Sequence, residues 1–282
     1  MQIPASQSAA SLLLSSNTSH RFTTTCAALD SLLTPQVHAS YSSTQPDKAP
    51  ATGLGRGAAL ELLGPPGAGK TRVALGFVMG ERFSEEGGEV LVVDDGSKVR
   101  EVLNGVRYRR IDSTWMLVAF FNTLETWLAE HPRVNLVIVD SLTAHFRPHL
   151  DNSTRTLLAD AIRTSLSTVC SAGKVSVVLT TSLSLKLFGP DHRPTTWSRD
   201  AEALLVPQIV ERWLPESGGG TAAWRVLLFY SEGGERLARL VSSPNPAQAI
   251  DVAFTMDFLG PCDYPNGERP DTADADVAPA PT

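Results

Sequence analysis

An α/β fold, with a mostly parallel central sheet flanked by helices, is what this sequence predicts. Three observations carry the prediction. Near-continuous apolar runs at residues 59–63 (ALELL), 90–93 (VLVV) and 134–139 (VNLVIV) lack the polar alternation of a one-sided sheet, so both faces must be covered. Stretches with helical spacing separate the runs, as parallel neighbours require. Each run ends in a glycine-rich turn or an acid, and open parallel sheets place their ligands at the carboxyl ends of the strands.

The elements follow in order. Residues 1–21 are polar and low in complexity and read as a disordered N-terminus. FTTTCAALDSLL, from residue 22, is a short amphipathic element, and the Pro/Gly/Ser-rich stretch 35–57 is a flexible connector. The strand ALELL then enters GPPGAGKT: Gly64, Pro65, Pro66, Gly67, Ala68, Gly69, Lys70 and Thr71. This satisfies every fixed position of the phosphate-binding G-x-x-x-x-G-K-[ST] loop. The glycines let backbone N–H groups turn around phosphate oxygens, Lys70 reaches the β and γ phosphates, and the Thr71 hydroxyl ligates Mg²⁺. RVALGFVMGERF continues as a helix with Val73, Phe77 and Val78 on one side.

The strand VLVV ends in Asp94 and Asp95 at the ligand edge. Asp112 or Ser113 caps a long helix, STWMLVAFFNTLETWLAEH, which Pro132 stops. VNLVIVD has the form of a Walker B strand, delivering the Asp140 carboxylate beside the Mg²⁺ and its waters. Residues 152–172 form a helix with Leu157, Leu158, Ala161, Ile162, Leu166 and Val169 at helical spacing and Gly173 as its stop. KVSVVLTTS is a third buried strand, and residues 183–207 read by composition as one long loop. WRVLLFY, SEGGE and RLARLVSS form a C-terminal antiparallel hairpin, and IDVAFTMDF a last strand. Residues 262–282 are a disordered acidic tail.

The 282 residues, 42% hydrophobic, suit one large core with tails. No apolar stretch approaches the run of about 20 residues that spans a bilayer, so no membrane is expected as a partner. No signal-peptide pattern opens the chain, and Arg21 is its only arginine or lysine before Lys48, which argues against a transit peptide. Cys26, Cys170 and Cys262 are odd in number and far apart, which supports neither a disulfide framework nor a zinc site and points to a reducing, intracellular compartment. The net charge is −6, of which the tail from Cys262 onward, with five acids against Arg269, supplies the larger part. That balance neither excludes nor supports nucleic acid, since a local basic groove would suffice.

A complete strand and helix separate the P-loop strand from the Asp140 strand, so the two are not expected to be sheet neighbours. There is no N-K-x-D guanine motif and no L-S-G-G-Q signature. TTTCAALDSLL, LELLGPPGAGKT, VNLVIVDSLTAHFRPHL with TRTLLADAI, VVLTTS, LLVPQIVERW, RLARLVSSP and FLGPCD occur in order over residues 22–263. In these the chain resembles the RecA and RadA recombinase family, and within it the eukaryotic recombinase paralogs, most closely the C branch. The resemblance implies a P-loop NTPase with a RecA-like core spanning residues 22–261, binding ATP and Mg²⁺ between subunits. It also implies recombinase paralogs or the recombinase as partners, homologous recombination in the nucleus as the process, and contact with single-stranded DNA. Two loops would face that DNA, residues 146–155 and 185–205. Their basic residues are Arg147, His149 and Arg155 in the first, and Lys186, Arg193 and Arg199 with Phe188 and Trp197 in the second, a mix that tracks phosphates and stacks bases. Six basic residues interspersed with Asp151, Asp191 and Asp200 also describe an ordinary solvated surface.

The departures matter equally. Where the family has Asp-Thr-Glu-Gly this chain has VVDDGSKV, leaving Asp95 as the one candidate for the catalytic base. An Asp is a methylene shorter than Glu, and a displacement of about 1 Å can cost on the order of 100-fold in rate. Where the family ends a strand in Thr-Asn-Gln, here stand Thr180, Thr181 and Ser182, without the phosphate-sensing glutamine. The helix-hairpin-helix domain that precedes the core in many relatives is not expected from the first 20 residues. Three readings follow: a DNA-stimulated ATPase, a nucleotide-gated scaffold with little or no turnover, and an unrelated P-loop ATPase.

Overall fold

The computed structural model describes residues 20–34, 52–84, 88–94, 105–146, 150–197, 200–208, 214, 222–244, 250–257 and 260–264. A small ribbon pairs β1 (Arg21–Phe22) with β2 (Leu54–Gly55), and α1 (Ala27–Leu32) lies between them in sequence. The main sheet contains β3 (Ala58–Gly64), β4 (Glu89–Asp94), β5 (Val106–Arg110), β6 (Val134–Asp140), β7 (Ser176–Phe188), β9 (Ala222–Tyr230), β10 (Arg236–Ser242), β11 (Asp251–Met256) and β12 (Pro261–Cys262), with β8 (Glu202–Pro207) paired to β7. Its order is β5-β4-β6-β7-β3-β9-β10-β11-β12. The pairs from β5 to β9 are parallel and those from β9 to β12 antiparallel. This is the expected α/β architecture. As anticipated, the P-loop strand β3 and the Asp140 strand β6 are not neighbours: β7 lies between them.

Side-chain alternation divides the core into two layers, because successive strand residues point to opposite faces. Leu91, Val93, Val137 and Val139 face α3 (Thr114–Glu130) and α4 (Asn152–Ser171), where they meet Phe121, Leu124, Ile162 and Leu166. Val90, Val92, Leu136 and Ile138 face the other way, onto α2 (Lys70–Phe83) and the N-terminal segment, packing with Val73, Phe77, Phe22 and Leu29. Phe22 and Phe77 are fully buried. The N-terminal segment can reach α2 because position 80 carries no side chain: a Cβ there would stand 2.2 Å from the Thr23 carbonyl oxygen.

Both long helices are capped as their sequences suggest. Ser113 Oγ accepts from the Met116 N–H at 3.2 Å, so Ser113 and not Asp112 caps α3. Asp151 Oδ1 accepts from Thr154 N–H at 2.8 Å and caps α4. These bonds, led by that of the Ser153 hydroxyl, hold the Asp151 carboxyl below the usual range.

The structure corrects several sequence-based expectations. Residues 183–207 are not one loop: β7 continues to Phe188 and pairs antiparallel with β8, from Leu183↔Pro207 to Phe188↔Glu202. The period-two pattern of Leu183, Leu185 and Leu187 marks this strand, but the turn residues between its two arms obscure it. Strand β5 was not anticipated, because Arg107, Arg109 and Arg110 gave it no apolar run; as an edge strand it needs none. Leu157, assigned to the buried face of its helix, is 70% exposed. The ordered core also extends past its expected ends at 22 and 261. Arg21 lies in β1 and Cys262 in β12, and within the expected connector Leu54 and Gly55 form β2. All three cysteines are free.

Asp263 is the tie that extends the core. Its carboxylate accepts from the N–H groups of Ala27 and Ala28 at 2.9 and 2.8 Å and from the Cys26 thiol at 3.3 Å, so the residue that follows β12 caps α1. Burial opposes its ionised form, but these donors overcome that and keep its carboxyl below the usual range. Asp30, buried in α1, accepts from the Thr24 N–H and hydroxyl at 2.7 and 2.9 Å. Desolvation outweighs those bonds, and the nearby Asp263 charge adds to it, so the Asp30 carboxyl is pushed up to about 6. A raised carboxyl pKa means that the folded state holds the proton more tightly than the unfolded chain. Stability is therefore expected to fall as pH rises from about 4 to about 6, and Asp30→Asn to flatten that dependence in urea melts. An unchanged slope in the variant would refute this assignment.

Candidate nucleotide site

The site begins where β3 runs out. Residues 65–69 turn away from the sheet and α2 starts at Lys70, with Gly69 as its N-cap. Gly67 and Gly69 take φ values of +84° and +100°, in the left-handed region that side chains disfavour. The Met256 methyl lies beside Gly69, 2.4 Å from where a Cβ would stand. Ala68 is buried, its N–H donating to the Pro65 carbonyl at 3.3 Å, while Pro66 and Gly67 are exposed. No side chain caps α2, which leaves first-turn N–H groups and the positive end of the helix dipole for an anion.

Lys70 Nζ donates to the carbonyls of Gly64 and Pro65, at 2.8 and 3.0 Å. Its cation therefore sits inside the loop rather than in solvent. Thr71 is half-buried in the first turn of α2. Asp140 ends β6 at the same edge of the sheet, accepting a hydrogen bond from the Thr180 hydroxyl of β7. Asp94 stands opposite Asp140 in register, buried, with the Tyr108 hydroxyl 3.4 Å from its carboxylate. The Asp140–Ser141 peptide is cis. A glycine-rich loop, an uncapped helix start, a cation, a first-turn hydroxyl and a nearby carboxylate together fit a triphosphate with Mg²⁺. Among the described residues no group of three His, Cys, Asp or Glu could itself hold a metal, so any metal here would depend on the hydroxyl, water and phosphate.

Next to the site, a chain of polar contacts crosses the sheet. Buried Glu61 of β3 accepts from the Thr181 hydroxyl of β7 at 2.7 Å and from Arg225 of β9. The Ser182 N–H donates to Thr143 Oγ1 at 2.8 Å, tying the end of the buried part of β7 to the 3₁₀ turn Leu142–His145. Sequence reasoning missed Glu61, although an acid inside an otherwise apolar strand was a signal. It also missed Tyr230, Arg236 and Met256. Tyr230 Oη donates to the Gly67 carbonyl at 2.9 Å, and Met256 packs on Gly69. Only the strand order brings these residues to the loop.

Asp95, Arg147, His149 and Arg199 lie outside the described residues. Arg155 is half-buried in the first turn of α4. Lys186 is exposed on the β7–β8 ribbon, and Arg193 is ion-paired with Asp191 at 3.8 Å. Trp197 is 85% exposed, whereas Phe188 is half-buried. Of the described basic residues, Arg155 thus sits on α4, and Lys186 and Arg193 on the β7–β8 ribbon. Leu185 and Leu205 face each other across the ribbon, 64% and 47% exposed, so the second expected DNA loop presents an apolar surface as well as a basic one. No described helix is long and apolar enough to cross a membrane.

No protein-family model matches the chain. It is 28% identical over 176 residues to the DNA repair protein RAD51 homolog 3 of Cricetulus griseus, an alignment covering 62% of this chain and 43% of that protein. To the protein of the same name from Dictyostelium discoideum it is 25% identical over 148 residues, covering 52% of this chain and 35% of the relative. The chain thus spans less than half the length of these curated relatives.

Proposed function

We propose that this chain is a divergent recombinase paralog, an ATP-binding subunit acting in homologous recombination and DNA double-strand break repair in the nucleus. The observation that carries the reading is the complete phosphate loop at the carboxyl end of β3, with Lys70 inside it and Asp140 on the same edge of the sheet. Gly64, Pro65, Pro66, Gly67, Ala68 and Gly69 supply the backbone cradle, Lys70 the cation, Thr71 a metal-ligating hydroxyl, and Asp140 a carboxylate acting through water. Mg²⁺, when bound, neutralises phosphate charge. Partners in this reading are other recombinase paralogs or the recombinase itself. Contact with single-stranded DNA through Arg147, Arg155, Lys186, Arg193 and Arg199 belongs to the same proposal.

A specific observation favours binding over rapid turnover. Where the family has Thr-Asn-Gln with its phosphate-sensing glutamine, β7 holds Thr180, Thr181 and Ser182, and both threonine hydroxyls serve carboxylates, on Asp140 and Glu61. Nothing in this arrangement is long enough to couple a γ-phosphate to the ribbon beyond. In this reading Asp95 is a weak base and the nucleotide acts as an assembly signal. The test is to titrate the protein with fluorescent ATP and Mg²⁺ and to follow phosphate release with and without single-stranded DNA. Mg²⁺-dependent binding with turnover slow even on DNA is expected. Rapid DNA-stimulated turnover, lost in Asp95→Asn, would favour the ATPase instead, and failure to bind nucleotide would sink both.

A further inference from the structure

Resting on the nucleotide reading above, we propose that the C-terminal hairpin supplies the phosphate loop with a second cation: Arg236, stacked on Tyr230, binds the phosphate chain alongside Lys70. Strand β9 runs parallel to β3, so its carboxyl end arrives at the edge where the loop begins. The β9–β10 turn then places Arg236 directly opposite Tyr230 in register. The Tyr230 hydroxyl holds the Gly67 carbonyl at 2.9 Å, and the N–H of the same peptide, from Ala68, is held by the Pro65 carbonyl at 3.3 Å. That peptide is fixed at both ends, and the hairpin is thereby fixed to the loop.

Arg236 lies behind this contact. Its guanidinium carbon is 5.3 Å from the centre of the Tyr230 ring, a cation–π arrangement that orients the planar group. Its Nε is 4.0 Å from where a Cβ of Gly69 would stand. That Nε is buried and has no hydrogen-bond partner among the described residues. Buried donors are rarely left unpaired, and a guanidinium is charged at any physiological pH. An anion in the loop is the group this position lacks. The neighbouring Glu235 leaves Oε1 buried and unpaired as well, and no ion pair joins it to Arg236 among the described residues. The two adjacent charges must then act on a bound phosphate with opposite signs.

That opposition separates an electrostatic role from a structural one. The full chain, with Arg236→Gln, Glu235→Gln and Lys70→Ala variants, is titrated with fluorescent ATP and Mg²⁺ at low salt and again in high salt. Arg236→Gln is expected to weaken binding on the order of 10-fold, as for loss of one charge-assisted bond. Glu235→Gln should tighten it about threefold, and both differences should shrink in high salt. The melting temperature of nucleotide-free Arg236→Gln should stay near that of the parent. Should Arg236→Gln fail to fold, Glu235→Gln decides alone, and unchanged affinity there overturns the proposal. If Arg236→Gln binds as the parent does while Lys70→Ala does not bind, the second cation is refuted and the loop reading stands. If the parent itself binds no nucleotide, the loop reading has failed, and this proposal with it.

Discussion

Replacing Lys70 by alanine is expected to weaken Mg-ATP binding by on the order of 100-fold or more while leaving the nucleotide-free fold nearly intact. The two halves of that expectation have separate causes. Lys70 is half-buried and donates to the carbonyls of Gly64, at the end of β3, and of half-buried Pro65, the latter open to water once the ammonium is gone. Losing these bonds should cost folding about 1 kcal/mol, the ordinary worth of a partly exposed hydrogen bond. With a triphosphate in the loop the same ammonium faces concentrated negative charge in a partly desolvated setting, where charge-assisted bonds are about twice as strong as neutral ones. Equilibrium titration with a fluorescent nucleotide, alongside a melting curve for each protein, checks both halves. A variant that binds ATP within threefold of the parent would mean that the loop does not grip phosphate, whatever its sequence.

The parts of the fold legible in the sequence were those where local and global demands coincide. VLVV and VNLVIV are buried on both faces in the sheet interior, so their lack of alternation reported their place directly. GPPGAGKT was legible because its chemistry is confined to eight consecutive residues. Charged VRYRR, by contrast, became edge strand β5 through pairing with β4 alone, and no periodicity announces that. Leu183 to Phe188 form a ribbon because β8 returns alongside them, a contact set by residues far along the chain. Tyr230 and Arg236 were invisible as site residues for the same reason: their nearness to Gly67 and Gly69 follows from β9 lying next to β3. Asp95 and Arg147 were named from a resemblance and rest on it still.

Arg225→Ala is expected to destabilise the protein by about 3 kcal/mol, more than removal of its buried partner Glu61. The asymmetry comes from exposure. The Arg225 side chain is 36% exposed and the Glu61 side chain 7%. Without Glu61, the guanidinium can turn to water. Without Arg225, a carboxylate inside the sheet keeps, among the described residues, only the Thr181 hydroxyl, and an ionised group so poorly served is costly. Glu61→Leu should therefore cost about 1 kcal/mol or less, because an apolar side chain of similar size suits the interior of β3. If so, Glu61→Leu introduced into Arg225→Ala should restore most of the lost stability, a coupling that a double-mutant cycle in urea measures. Equal losses from the two single variants, or no rescue in the double, would show that the pair is not the buried charge link described here. Because Arg225, Glu61 and Thr181 join β9, β3 and β7 just below the phosphate loop, Arg225→Ala is also expected to loosen nucleotide binding, but far less than Lys70→Ala does. Holding β3 in place is a different task from holding phosphate, and the ratio of the two effects separates them.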